Sequence, residues 1–575
     1  MTQLTRRVHG PTTAGSRAME QSLKDQPAAD TKSRIETWFA GLTPWRRRGV
    51  ALLAGAFATL GHAPFQLTLV YIAALVILVW LLDAAYARER KIAAAFSVGW
   101  FFALGHFATG LYWIVSAFLV DAESFGIGLG VAAVLGLAGG LALFWGAGCA
   151  LAMAFWTRDM RRLPVFAVAL FIAEWLRGNI LTGFPWLLPG YVWTPGEPIS
   201  QIASVVGIYG LSLLTLLIAA APAIIADGRL SAGRRFAPTI VAALAVGMIW
   251  GWGAQRIAGA PIDPPGAQPI VRVADSGLSQ AEKWRYRPDQ EWRVLARYLD
   301  VSGPPEESRA SILIWPEGAI PTLNFFQLYN DEYLAALARG LGDRALVTGL
   351  TRCEPRPACD AFIRGEASAA DITLYNSAAV IDGVSGAPRV AQVYDKHHLV
   401  PFGEYIPFWN LVSGLNIAPL QRIGAGFAAG DMPTRLVIPE APPAVVLICY
   451  EAIFPGMIPR GEGRPGWIIS VTNDAWFGEG TGPYQHYAMA RYRAIEEGLP
   501  MARSASGGVS AIIDAFGREM RATRMRGAAT EAQLPPALEE TTLVRWGNIL
   551  LPLLVIIIST VRFLPKRWSA VRRVK

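Results

Sequence analysis

From residue 49 to residue 256 the chain is a nearly continuous series of apolar stretches broken only by short charged segments. No other feature restricts the fold so strongly. A helix that crosses a bilayer needs about 20 mostly apolar residues, and its backbone must satisfy its own hydrogen bonds. Candidate spans lie at 48–63, 66–86, 93–118, 126–156, 163–180, 205–226 and 236–256, with an eighth at 545–563. The buried core of a soluble protein does not call for apolar runs of this combined length.

Charge tests the count independently. Arg46-Arg47-Arg48 precedes the first span, and Arg88, Arg90 and Lys91 part the second from the third. Arg158, Arg161 and Arg162 part the fourth from the fifth, and Arg229, Arg234 and Arg235 the sixth from the seventh. Lys566, Arg567, Arg572, Arg573 and Lys575 follow the eighth, whereas the loops at 63–66 and 120–125 carry no Lys or Arg. Positive charge marks cytoplasmic loops. Both termini are therefore expected in the cytoplasm, and the segment between spans seven and eight on the opposite, periplasmic side. The net charge of +8 lies in these loops and the termini, which argues against a nucleic-acid surface. Glu174 and Arg177, near the end of the fifth span, read as an interfacial ion pair rather than a transport path.

The expected parts are a polar cytoplasmic arm (1–44), a seven-span bundle (45–258), a soluble domain (259–540), and a last span with a basic tail (541–575). The arm has no apolar h-region and is not expected to be a cleavable signal peptide. In the soluble domain the apolar pattern predicts strands at 269–274, 311–315, 345–350, 376–381, 390–394, 444–449, 467–472 and 509–514. Helices are predicted at 288–301, 329–340 and 484–497, giving an α/β layered domain with helices over a sheet. No dinucleotide or Walker glycine motif occurs, and no spaced Cys/His set, so neither a cofactor nor a metal is expected. His397, His398 and His486 read as hydrogen-bonding residues.

There are four cysteines. Cys149 falls inside a span and reads as a small packing residue. Cys353 and Cys359 flank Glu-Pro-Arg-Pro-Ala in a loop, in a compartment that permits disulfides, which leaves a local bridge open. Cys449 is then the odd thiol, a flag for reactivity, and it closes the apolar run Val445–Ile448. Two other strand-like runs end in charged residues, Ile312–Trp315 before Pro316-Glu317 and Val393-Tyr394-Asp395 before Lys396. A thiol needs a base and a cation to act as a nucleophile. Glu317 could take its proton, and Lys396 could stabilise both thiolate and oxyanion. Taken singly, each has a bland meaning: a solvated carboxylate, a surface lysine, a core cysteine.

The flanking residues carry more. Trp315-Pro316-Glu317-Gly318-Ala319-Ile320-Pro321, Tyr394 through Pro407 (including Lys396-His397-His398 and Pro401-Phe402-Gly403-Glu404-Tyr405), and Ile448-Cys449-Tyr450-Glu451 resemble the Glu-Lys-Cys site of the nitrilase superfamily. Within it they are similar to the apolipoprotein N-acyltransferase family. Asn473-Asp474-Ala475-Trp476-Phe477-Gly478, Gly482-Pro483-Tyr484-Gln485-His486 and Met489-Ala490-Arg491 extend the likeness, which covers about residues 45–565. The resemblance implies a polytopic helical bundle of about eight spans bearing an α-β-β-α sandwich. It implies transfer of a phospholipid acyl group, through a thioester on Cys449, to the α-amine of a diacylglyceryl-modified N-terminal cysteine of an apolipoprotein. This is the last step of lipoprotein maturation, at the bacterial inner membrane with the catalytic domain periplasmic. Glu317 is then the general base, Lys396 supports the tetrahedral intermediate, and Glu404 is an accessory acid. Tyr450 and Glu451 shape the pocket, and Tyr450 N–H offers an oxyanion contact. Trp284 resembles a substrate-loop tryptophan. Trp476 and Phe477, with Phe402, Phe408, Trp409 and Leu411, suit a water-excluding or membrane-facing wall.

Phospholipid, apolipoprotein and the bilayer are the expected partners, with the chain a monomer. The rival readings are a membrane-tethered amidase using the same three residues, and a transporter or scaffold without catalysis. Two segments depart from the family pattern: Ala274-Asp275-Ser276-Gly277, where a Gln and an Asn are usual, and Ser504-Ala505-Ser506-Gly507-Gly508, which lacks an Asn before the glycine. Neither touches Glu317, Lys396 or Cys449.

Overall fold

Small residues decide how closely the N-terminal helices approach. Helices Pro44–Ala58 and Lys91–Gly110 cross so tightly that a Cβ on Gly55 would lie 1.8 Å from Phe102 O, and one on Gly105 would lie 2.0 Å from Leu52 O. Lys91–Gly110 meets Gly126–Ala154 at Gly99, where an added Cβ would fall 2.6 Å from the buried Cys149 Sγ. Such backbone contact is how helices associate where water supplies no driving force. Gly55→Val is therefore expected to splay the first pair and cost about 1–3 kcal/mol or more. A lowered thermal midpoint of the purified chain in detergent would show it.

The computed structural model describes residues 33–120, 126–260, 268–279, 282–283, 289–320, 331–383, 388–407, 409 and 426–560. Five of its helices have the length and composition to cross a membrane: Thr68–Tyr86, Lys91–Gly110, Gly126–Ala154, Pro198–Ala226 and Ala232–Ala258. Only 6% of the apolar window of Ala232–Ala258 is buried, and Ile240, Val241, Leu244, Met248 and Trp250 face outward. An apolar surface of that extent needs apolar surroundings. The other three expected spans fall on Pro44–Ala58, Arg162–Asn179 and Thr542–Thr560. The first is 15 residues long and opens on Arg46-Arg47-Arg48, and the second carries Arg162, Glu174 and Arg177.

Two expected spans are not continuous helices. The 93–118 span stops at Gly110, and a 3-10 turn, Tyr112–Ile114, swings Trp113 toward the soluble domain before Val115–Leu119. The turn places Trp113 Nε1 to donate to Gln485 Oε1 at 3.1 Å. The 205–226 span is broken at Gly207, φ 68, which frees Ile208 N–H to donate to Glu496 at 2.7 Å.

The soluble domain is two sheets face to face. Strands β1 (Ile270–Ala274), β2 (Ile312–Ile314), β3 (Ala345–Glu354), β4 (Thr373–Asp382) and β5 (Arg389–Asp395) form the first, with β11 (Ala529–Gln533) beside β1. β6 (Ala444–Ile448), β7 (Trp467–Asn473), β8 (Met501–Ser506), β9 (Ser510–Ile513) and β10 (Glu519–Thr523) form the second. Val271, Ile314 and Val380 pack against Val446, Ile469 and Ile512 between them. Gln290–Ser302 and Asp331–Leu341 cover the outer face of the first sheet. Gly482–Glu497 covers the second and packs at the same time against the membrane helices. The order is helix, sheet, sheet, helix, with the bundle beyond.

β6, β7 and β8 are parallel, as are β1, β2 and β3, and β5 runs with β3 because both are antiparallel to β4. Strands β8, β10 and β11 and helix Arg356–Ile363 were not predicted. Cys353 and Cys359 are disulfide-bonded, and they lie on β3 and that helix rather than in a loop.

Candidate active site

Strand β6 is fully buried and ends in an abrupt turn. Cys449 takes φ +49 and opens the 3-10 helix Cys449–Ile453. Glu451 holds that turn. Its Oε2 accepts from Ile448 N–H at 2.7 Å, and its Oε1 accepts from Tyr394 O–H at 2.7 Å, His397 N–H at 2.8 Å and His398 N–H at 3.1 Å. One buried carboxylate thus ties the end of β6 to the end of β5. Burial pushes its carboxyl above the usual range, and the donated hydrogen bonds oppose that shift. Tyr450 turns away toward the bundle, where its hydroxyl donates to Gly183 O at 3.1 Å.

The end of β5 delivers Lys396, whose side chain is wholly buried between two carboxylates. Its Nζ lies 2.9 Å from Glu404 Oε1 and 3.6 Å from Glu317 Oε1. Asn376, on β4, donates through Nδ2 to both, at 2.7 Å to Glu317 and 2.6 Å to Glu404. Glu317 Oε2 accepts from Asn473 N–H at 2.9 Å. Glu404 Oε2 accepts from Val400 N–H at 2.8 Å. Burial alone would lower the Lys396 pKa, but Glu404 and then Glu317 hold it above that of an ordinary lysine. The Cys449 thiol is pushed up by burial first and by Glu317 second, with Lys396 opposing. A buried carboxylate paired with a fixed ammonium is an arrangement that can take a proton from a nucleophile and balance the charge that develops on attack.

Behind the turn lies a second buried set. His486 Nε2 sits 3.1 Å from Cys449 O, and its Nδ1 sits 2.8 Å from Asp474 Oδ1. Arg503 donates to Asp474 Oδ2 at 2.8 Å. Burial would raise the Asp474 carboxyl, but Arg503 and His486 bring it below the usual range. Sequence reasoning missed Asn376 and Arg503, and it quoted Asp474 within a motif without giving it a role. For Asn376 and Arg503 the available signal was polarity in strands that are otherwise apolar or buried.

Of the expected wall, Phe477 packs on Trp113, with ring centroids 4.4 Å apart, and on Trp186 at 5.9 Å. Trp476 is half-buried, and Phe402 is exposed at φ +62. Trp284, Phe408 and Leu411 lie outside the described residues. His397 Nδ1 faces Gly430 O and His398 Nε2 faces Thr182 O, both at 2.9 Å. No group of three or more His, Cys, Asp or Glu that could hold a metal occurs among the described residues. Between bundle and domain, Ser116, Leu119, Gly277, Ser279, Ala475 and Arg526 line a cleft of about 560 Å³ including its open mouth.

Residues 54–221 match the family model of the apolipoprotein N-acyltransferase N-terminal domain, and residues 272–527 match that of carbon-nitrogen hydrolase. The apolipoprotein N-acyltransferase of Rhodopseudomonas palustris is 39% identical over 547 residues, 93% of this chain and 98% of the relative. That of Bradyrhizobium diazoefficiens is 41% identical over 91% of this chain and 96% of its own. That of Caulobacter vibrioides is 35% identical over 90% and 94%. Likeness at this level, running through bundle and sandwich alike, means that the chain belongs to the apolipoprotein N-acyltransferase family.

Proposed function

We propose that this chain moves an acyl group from a phospholipid to the α-amine of an S-diacylglyceryl cysteine at the N-terminus of an apolipoprotein. The observation that carries the reading is a buried thiol at a left-handed turn, tied through Glu451 to the strand end that delivers Lys396, with Glu317 3.6 Å from that lysine, in a domain packed onto apolar helices. In the first half, Glu317 takes the Cys449 proton as sulfur attacks the ester carbon. The oxyanion forms beside Lys396 Nζ and Tyr450 N–H. Collapse breaks the ester bond, and the leaving lysophospholipid oxygen takes the proton back from Glu317. In the second half the amine attacks the thioester, Glu317 removes its proton, and the departing sulfur recovers that proton. Glu404 keeps Lys396 charged and in place. Trp476, Phe477 and Trp284 would exclude water until the amine arrives.

The same reading puts the chain in the inner membrane as a monomer, with eight spans and the sandwich in the periplasm. Its parts are the cytoplasmic arm 1–44, the bundle 45–258, the catalytic domain 259–540 and the last span with its tail 541–575.

Intact-protein mass spectrometry of the chain incubated with phospholipid, beside Cys449→Ser, tests this. A fatty-acyl adduct on the wild type alone, sensitive to neutral hydroxylamine and discharged by a diacylglyceryl-cysteine peptide, is expected. Discharge by water with the peptide unmodified would point to a hydrolase, and no adduct would sink the mechanism. Gly349→Ala offers a finer check. A Cβ there would lie 2.5 Å from Glu317 Cα, and a displaced base should slow adduct formation by about 10²-fold.

A further inference from the structure

Left-handed backbone is unfavourable for a non-glycine residue and persists only where its neighbours hold it. Cys449 is such a residue, at φ +49. Its carbonyl oxygen lies 3.1 Å from His486 Nε2. A carbonyl only accepts, so this contact is a hydrogen bond in the ring forms that carry a hydrogen on Nε2. The ring is fully buried and boxed in. Asp474 sits 2.8 Å from Nδ1 and is itself held by Arg503 at 2.8 Å and Thr472 at 2.9 Å. Trp186 stacks on the ring, with centroids 5.7 Å apart, and Phe477 meets it edge-on at 5.6 Å. Trp186 in turn donates to Gln485 Oε1 at 2.8 Å, where Trp113 also donates at 3.1 Å.

In a trans peptide the C=O and the next N–H lie in one plane and point in opposite directions. Fixing Cys449 C=O against His486 therefore fixes the direction of Tyr450 N–H. A hydrogen bond accepted by that C=O also polarises the amide and strengthens its N–H as a donor. Resting on the acyl-transfer reading above, we propose that His486 is a positioning residue that aims Tyr450 N–H at the oxyanion of the tetrahedral intermediate. Trp186 holds it from the membrane side and is itself tied to the domain helix through Gln485, so the nucleophile's oxyanion contact depends on correct docking of the bundle.

The test compares two reactions of one sulfur in the purified full chain in detergent. Attack on a p-nitrophenyl fatty ester passes through an oxyanion, and alkylation by iodoacetamide does not. His486→Phe keeps a ring against Trp186 and loses the donor. It is expected to slow the p-nitrophenolate burst by about 10²-fold, with KM for the ester and the alkylation rate each within about threefold of wild type. His486→Gln restores a donor and should recover at least about a tenth of the wild-type burst rate. Equal slowing of both reactions would reduce His486 to a structural residue, and an unchanged burst would make the carbonyl contact idle. Either result overturns the proposal. If His486→Phe does not fold, His486→Met takes its place. Independently of any variant, ¹⁵N NMR of the wild-type chain should find a proton on His486 Nε2, and a bare Nε2 would refute the arrangement. The ester assay uses no phospholipid, so a wild-type burst without a phospholipid-derived adduct would refute the donor assignment alone.

Discussion

Lys396→Met is expected to slow acyl-enzyme formation by about 10²–10³-fold and, separately, to destabilise the catalytic domain by about 3–5 kcal/mol. The two effects have different origins. In the proposed mechanism the rate falls because the ammonium is the charge fixed beside the forming oxyanion. Stability falls because Glu404, 2.9 Å from Nζ, and Glu317, 3.6 Å away, lose their shared counter-charge. Both would then keep only neutral donors, the shared Asn376 amide at 2.7 and 2.6 Å and one backbone N–H each, from Asn473 and Val400, which cannot compensate two negative charges away from water. Adding Glu404→Gln removes one of those charges. The double variant should regain most of the thermal midpoint and none of the rate. If it regained the rate as well, Lys396 would be only a counter-charge for the two acids. The pH dependence follows from the same geometry. The carboxylates raise the Lys396 pKa above its unfolded value. Its contribution to stability is therefore fully present below the unfolded lysine range and is lost as pH climbs through the folded value. Lys396 should contribute no acidic limb to a rate profile.

What could be seen beforehand was whatever announces itself over a short window. Glu317, Lys396 and Cys449 each follow a run of apolar residues, and the structure brings Glu317 and Lys396 within 3.6 Å of one another. Asn376 could not be read this way. It is a polar residue inside β4, and its importance comes from pairing two acids that are 59 and 28 positions away in sequence. Strand β8, Met-Ala-Arg-Ser-Ala-Ser, was missed for a related reason. It is central and fully buried, yet half of it is polar, because Arg503 serves Asp474 and Ser504 serves Ala274 O. Apolar periodicity reports burial against other apolar groups and is silent about burial against partners. The same limit explains the 93–118 span. Hydropathy carries the apolar run past Gly110, but Trp113 leaves the helix to reach Gln485, 372 residues away.

Glu451→Ala is expected to cost at least about 4 kcal/mol, enough to remove much of a domain's stability. The alanine leaves the Ile448 and His398 N–H groups and the Tyr394 hydroxyl without their acceptor, and His397 N–H with only the Tyr394 oxygen at 3.3 Å, in a place where the carboxylate is wholly buried. Each stranded donor costs about 1–3 kcal/mol unless water enters. Glu451→Gln should fall between alanine and wild type. Its amide nitrogen must face either Ile448 N–H or the cluster from β5, setting donor against donor in both orientations. Tyr394→Phe, which deletes one partner and strands one carboxylate lone pair, should cost only about 1–1.5 kcal/mol. The order alanine, glutamine, then Tyr394→Phe, read as thermal midpoints and protease resistance of the purified chain, tests whether the β5 and β6 ends are held together through this one side chain. Because Lys396 leaves β5 and Cys449 leaves β6, loosening that tie should separate the ammonium from the thiol even in molecules that remain folded. Glutamine-variant protein purified in its folded state should therefore show slower acylation of Cys449. A Glu451→Ala midpoint within a few degrees of wild type would mean that the turn is carried by the surrounding sheet instead.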